Sequence, residues 1–208
     1  MEQTIFECES FIKKLASSSP TPGGGGASAL VGAVAAALAS MAANITLKNN
    51  KDNTLTNLVS SLETLQKDLL ILIEEDAKSF LPLAAAYKLP AKTAKEQAEK
   101  EQKKEEALKN ACIAPLQIMN KCCQIIDICI ELKTLAKPIV ISDIGVGITL
   151  CKSALEGASL NVFCNTKLMN NRELATELNK QAENLLSIFC AKSQQLFFQI
   201  KNQLLEER

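Results

Sequence analysis

Four consecutive glycines, Gly23 to Gly26, run straight into a stretch that reaches Thr46 without a charged residue, and most of its side chains are Ala, Gly or Ser. Such a segment can be a phosphate-cradling loop with its helix, a membrane span, or a helix buried in a soluble core. A P-loop needs a Lys after the glycines and a strand before them, and neither is found here. A dinucleotide fingerprint needs a βαβ unit, which the rest of the chain does not offer. Residues 27 to 45 could just cross a hydrocarbon core. Small side chains gain little from lipid, however, and the sequence shows neither an aromatic belt nor a second span. What remains is a helix apolar on all sides, hence buried, whose small residues let neighbouring backbones approach closely. The glycines ahead of it can adopt φ > 0 and aim N–H groups at an anion such as a carboxylate. Equally, they can serve only as a tight entry into the core.

Nearly every other segment has helical periodicity. Ile5, Phe6, Phe11, Ile12 and Leu15 share one side of a first helix, with Thr4 and Glu7 as a capping box. Residues 54 to 88 form a long amphipathic helix, with Leu55, Leu58, Leu62, Leu65, Leu69, Leu72 and Phe80 on its apolar face. Pro82 should bend it or start a new segment, and Pro90 closes it. Thr93 and Glu96 cap the next helix, whose alternating charges form a solvated face. Pro115 is expected to kink that helix rather than end it. "LAKPIVISD" reads as a connecting loop, Ser142 as the cap of the following helix, and Asn170 with Glu173 as the cap of a last helix ending near Leu205. The expected fold is all-α: one domain over residues 1–208, a bundle of about six long helices around the buried small-residue helix.

Composition narrows the chemistry. The chain has 208 residues, with 23 basic and 23 acidic side chains in balance, so no basic surface for nucleic acid is expected. It has no His, which removes Ser–His and Cys–His catalysis, most zinc sites and the di-iron motif of helical bundles. Catalysis must then use carboxylates, Lys, Tyr, Cys, backbone amides or water. The acids of "EED" at 74–76 point in different helical directions, so no metal site is expected. The eight cysteines include no C-x-x-C pair, and "MEQTIFECES" has no secretory signature. They read as reduced, buried thiols of a cytoplasmic protein.

Four ordered stretches carry a family resemblance: "PTPGGGGASALVGAVAAALASMAANIT" (20–46), "EEDAKSFLPLAAAYKLP" (74–90), "SDIGVGITL" (142–150) and "ALEGASLNVFCN" (154–165). Together they resemble the cyclodeaminase/cyclohydrolase family of folate enzymes. Two loops depart from the family pattern, "LKNNKDN" (47–53) and "LAKPIVISD" (135–143). The resemblance implies an all-helical fold, usually dimeric, acting on a one-carbon unit between N5 and N10 of tetrahydrofolate. It leaves open two reactions. A cyclohydrolase adds water to 5,10-methenyltetrahydrofolate to give 10-formyltetrahydrofolate; a cyclodeaminase closes 5-formiminotetrahydrofolate with loss of ammonia.

Both reactions pass through a tetrahedral carbon between two nitrogens, and the methenyl group is a cation that a carboxylate would stabilise. Proton transfer to or from water, nitrogen or ammonia calls for an acid–base group. The catalytic candidates are Asp76, Asp143 and Lys88. Asp76 shares a helical face with Phe80, which would set its carboxylate beside the core; otherwise it is a surface acid. Asp143 and Lys88 could equally do no more than complement helix dipoles. Asn161 and Asn165 share a face and could pair with the pterin edge, with Asn44 a further amide candidate. Gly23, Gly24, Gly25 and Gly26 could receive a glutamyl carboxylate. The resulting reading is a cyclohydrolase acting on a small-molecule folate, with the cyclodeaminase and a non-catalytic folate- or partner-binding protein as alternatives. No tightly bound cofactor, nucleic acid or membrane is expected, and the chain should form a homodimer.

Overall fold

The computed structural model describes residues 2–48 and 52–206. Seven α-helices follow in order: α1 Glu2–Leu15, α2 Gly24–Leu47, α3 Asn53–Tyr87, α4 Ala94–Ala111, α5 Ile113–Leu135, α6 Ile141–Lys167 and α7 Arg172–Leu205. A 3-10 turn, Pro138–Val140, precedes α6, and no strand occurs among the described residues. The class is all-α, as the periodicity requires.

Helix α2 lies at the centre, packed most extensively on α3 and α6. Ala29, Ala35, Ala36, Ala39, Ala42 and Ala43 are fully buried. Close approach involves glycines of α2 itself and of α6. A β-carbon on Gly32 would meet Leu69 Cδ1 at 3.2 Å and Cys122 Sγ at 3.3 Å, and one on Gly147 would lie 3.4 Å from the Ala35 carbonyl. Around this spine the leucines of α3 and the Ile, Met and Cys residues of α5 complete one large core. A smaller cluster around Leu83, Leu108 and Met169 ties α4 to the end of α6.

Several sequence expectations are corrected here. Helix α2 is not buried on all sides: Val34, Met41 and Ile45 are exposed at seven- and four-residue spacing, on one side of the helix. It is also not alone in having the length and hydropathy of a span, since the stretches Ala94–Leu135 and Pro138–Lys167 have them too. In α2, 50% of the apolar window is buried inside the bundle. Of the two outcomes expected at Pro82, the start of a new segment does not occur, since α3 continues to Tyr87. At Pro115 the chain breaks rather than kinks: α4 stops at Ala111, and Pro115 is the third residue of α5, where its missing N–H would have had no helical partner.

The caps are likewise shifted. Ser142 is the second residue of α6, whose N-cap is Val140 and carries no side-chain cap. The last helix is capped by Asn171, whose Oδ1 accepts Leu174 N–H at 3.0 Å. Asn170 instead donates its N–H to Glu105 and its amide to Glu101. The first helix begins at Glu2, before Thr4, and the side chains of Ile5 and Phe6 lie outside the described residues, as do residues 49–51 of the loop after Leu47. The Thr93–Glu96 capping box forms in both directions.

Five of the cysteines, Cys112, Cys122, Cys123, Cys129 and Cys151, are buried, but Cys8 and Cys164 are exposed and Cys190 is half-buried. Burial pushes the Cys112 thiol up to about 11 and those of Cys123 and Cys129 up to about 12, so these three stay protonated near neutrality.

Candidate active site

The site is built where α2 begins. Gly23 is its N-cap in an extended conformation, and no glycine among the described residues has positive φ. The glycine run is therefore not a left-handed turn; it is a place where another group comes too close for a side chain. That group is Asp76 of α3. A β-carbon on Gly25 would fall 2.1 Å from Asp76 Oδ1 and 2.6 Å from Oδ2. The Asp76 carboxylate accepts the Gly26 N–H at 3.0 Å, so the protein's own acid occupies a donor of the helix N-terminus. Burial raises the Asp76 pKa above the ordinary carboxylate value, and the Gly26 N–H offsets part of the rise by stabilising the charged form.

Around this contact lies a cleft of about 240 Å³. Pro20, Thr21 and Gly23 to Gly25 form its end wall; Asp76, Ser79 and Phe80 come from α3; Asn161, Cys164 and Asn165 come from α6, with Ala111 closing the far side. Helix periodicity explains the pairing, because Asp76 with Phe80 and Asn161 with Asn165 each lie one turn apart on facing helices. The amides are pinned by their nitrogens. Asn161 donates to the Gly157 carbonyl at 3.0 Å, and Asn165 to the Ala111 carbonyl at 2.9 Å. The Asn161 amide also sits against Gly24, whose added β-carbon would lie 3.4 Å from its Oδ1.

The structure thus brings Gly23, Gly24, Gly25, Asp76, Asn161 and Asn165 into one cleft, with Gly26 beneath as a donor to Asp76. It does not bring in the others. Asp143 is at the opposite end of α6 from Asn161, about 27 Å away at 1.5 Å per residue. Lys88 is the exposed C-cap of α3, about 18 Å along the axis from Asp76. Asn44, near the far end of α2, is exposed and donates to the Ser40 carbonyl at 3.0 Å. Phe80 also departs from expectation: it belongs to neither hydrophobic cluster and lines the cleft instead. Sequence reasoning missed it, together with Cys164 and Ser79. The signal for Phe80 is its spacing from Asp76, one helical turn along the same face.

A carboxylate of raised pKa, held against a helix N-terminus and faced by two fixed amides, is equipped for proton transfer beside a polar, flat ligand. Residues 7–184 match the Formiminotransferase-cyclodeaminase family, and the chain belongs to that family. Among its relatives, a methenyltetrahydrofolate cyclohydrolase of Methylorubrum extorquens is 36% identical over 200 residues, covering 94% of this chain and 96% of the relative. A formimidoyltransferase-cyclodeaminase of Rattus norvegicus is 27% identical over 191 residues, which is 89% of this chain but only 35% of that protein. The fold matches formiminotetrahydrofolate cyclodeaminase of Thermotoga maritima with a TM-score of 0.75 at 24% identity, over 91% of this chain and 94% of that one.

Proposed function

We propose that this protein hydrolyses 5,10-methenyltetrahydrofolate to 10-formyltetrahydrofolate, with Asp76 as the acid–base group. The observation that carries the reading is the Asp76 carboxylate, half-buried in the cleft with its pKa raised. The similarity to the Methylorubrum cyclohydrolase over nearly the full length of both chains supports it.

The steps balance on water and one carboxylate. Asp76 takes a proton as the water oxygen bonds to the methenyl carbon, and the cationic centre becomes a neutral tetrahedral adduct. The C–N5 bond then breaks, N5 receives the proton from Asp76, and the remaining hydroxyl proton leaves to solvent as the formyl group forms on N10. Because only water and protons move, this reading requires no tightly bound cofactor. Asp76⁻ also stabilises the cation before attack. The Oδ1 of Asn161, whose nitrogen is already engaged, can accept from a pterin N–H group.

Cyclodeamination is the second reading, favoured by the similarity to the rat protein, and it would use the same group to protonate departing ammonia. The exposed Val34, Met41 and Ile45 on α2, with Ile139 and Val146 exposed beside the start of α6, support a homodimer that covers them. We place the enzyme in the cytoplasm, with neither nucleic acid nor membrane as partner. The deciding experiment follows near-ultraviolet absorbance against enzyme-free blanks. Faster loss of the methenyl band with wild type, abolished in Asp76→Asn, supports the cyclohydrolase. Appearance of that band from 5-formiminotetrahydrofolate with ammonia release assigns the cyclodeaminase instead. No change with either substrate overturns both and leaves a non-catalytic folate- or partner-binding protein.

A further inference from the structure

The fold does not use Phe80. It is 36% exposed, contributes to neither hydrophobic cluster, and yet forms part of the cleft wall one helical turn beyond Asp76. An aromatic ring left out of the core but built into a cleft offers a flat apolar face to a ligand. The lining changes along the cleft, with Asp76 and Asn161 beside the glycines and, one helical turn on, Phe80 on α3 and Asn165 beside Ala111. The glycine end has the Gly24 and Gly25 backbone, Thr21, Asp76 and the Asn161 amide. The far end has Phe80, Ala111 and Cys164, with Asn165 tied to the Ala111 carbonyl.

A folate also changes along its length, with a polar pterin edge on one side of the N5–N10 bridge and a benzoyl ring on the other. With the one-carbon unit against Asp76, the pterin fits the glycine end and the benzoyl ring falls at the level of Phe80, about 6 Å along α3. We infer that Phe80 stacks on the p-aminobenzoyl ring of the substrate and so selects complete folates over free pterins. This inference rests on the folate reading of the cleft.

The test is titration calorimetry with 5-formyltetrahydrofolate and with 5-formyl-6-methyltetrahydropterin, which lacks the benzoyl ring. The proteins are wild type, Phe80→Ala and Phe80→Tyr, each verified as folded by its helical circular dichroism. Loss of one stacked aromatic contact should weaken folate binding by about tenfold in Phe80→Ala, with pterin affinity unchanged. Phe80→Tyr, which keeps the flat ring, should restore the affinity. In turnover, Phe80→Ala should raise KM while kcat stays near wild type. Wild-type folate affinity in Phe80→Ala, or an equal loss for both ligands, overturns the stacking role but leaves the folate reading intact. Failure of the wild type both to bind 5-formyltetrahydrofolate and to turn over a folate substrate overturns the folate reading, and the stacking role with it.

Discussion

A β-carbon on Gly25 would stand 2.1 Å from Asp76 Oδ1, closer than non-bonded atoms can approach. The carboxylate and the helix therefore fit together only because position 25 has no side chain. Gly25→Ala should drive Asp76 away from the Gly26 N–H and lower kcat by about a hundredfold, the scale expected for misplacement of a reacting group by about 1 Å. Gly23→Ala is the control, since nothing lies within 4 Å of a β-carbon there, and it should keep wild-type kinetics. Steady-state assays of the two variants make the comparison. Equal activities would show that the Gly25–Asp76 contact has no part in turnover.

Asp76→Asn removes the proton-transfer group but keeps an oxygen able to accept the Gly26 N–H. We expect a fall in kcat/KM of about 10² to 10⁴, the usual worth of a general acid–base group. The folded state should not suffer. Burial disfavours the charged carboxylate, so the neutral amide should melt at or above the wild-type temperature. A variant that is inactive because it has unfolded would show instead as a lowered melting temperature by circular dichroism.

The raised pKa of Asp76 also fixes two signs in pH dependence. Catalysis needs the carboxylate, so kcat/KM should decline as pH falls through a midpoint above the ordinary carboxylate range, and this limb should be missing from the residual activity of Asp76→Asn. Stability runs the other way. The folded pKa exceeds the unfolded one, so this group's contribution is fully present below the unfolded pKa and is lost as pH rises through the folded pKa. The difference in denaturation midpoint between Asp76→Asn and wild type should therefore widen in favour of the variant as pH rises through that window.

The helices were legible because a buried stripe imposes its own period on the sequence, and α3 shows this from Leu55 to Leu72. Helix ends were less so. A cap depends on which residue adopts the extended backbone, and Asn170 and Asn171 both qualify by type; Glu105 accepts the N–H of both, but the Asn170 amide is engaged by Glu101 while the Asn171 side chain accepts the Leu174 N–H and caps α7. The Pro115 break was misread for a related reason, since a proline interior to one helix and a proline in the first turn of the next look alike in sequence. In the site, Asp76 and the glycines were found separately, but not their contact, which joins residues 50 apart. Phe80 looked like core because an apolar residue in register is core unless a cleft opens beside it, and no local pattern records a cleft.

Asn165 couples the cleft to the frame. Its amide nitrogen donates to the Ala111 carbonyl, where α4 ends and α5 has not yet begun, so it holds that junction against α6. Asn165→Ala should cost about 1 kcal/mol in urea denaturation for the lost hydrogen bond, and should also raise KM. Asn161→Ala, whose amide bonds only within its own helix at Gly157, should raise KM with less loss of stability. Equal stability losses in the two variants would remove the bracing role assigned to Asn165.

Asp143 and Lys88 test whether one chain completes the site. In a single copy neither lines the cleft: measured along their helices, Lys88 stands about 12 Å from Phe80 and about 18 Å from Asp76, and Asp143 about 27 Å from Asn161. If Asp76 performs the proton transfers alone, Asp143→Asn and Lys88→Met should retain kcat/KM within about twofold, the range of surface substitutions that leave the chemistry untouched. A fall beyond about tenfold in either variant, with normal helical circular dichroism, would require the side chain to reach a cleft from a second copy of the chain. Mixing each inactive variant with Asp76→Asn then separates the two cases. Recovery of activity in the mixture shows a site shared between subunits; no recovery places all the chemistry within one.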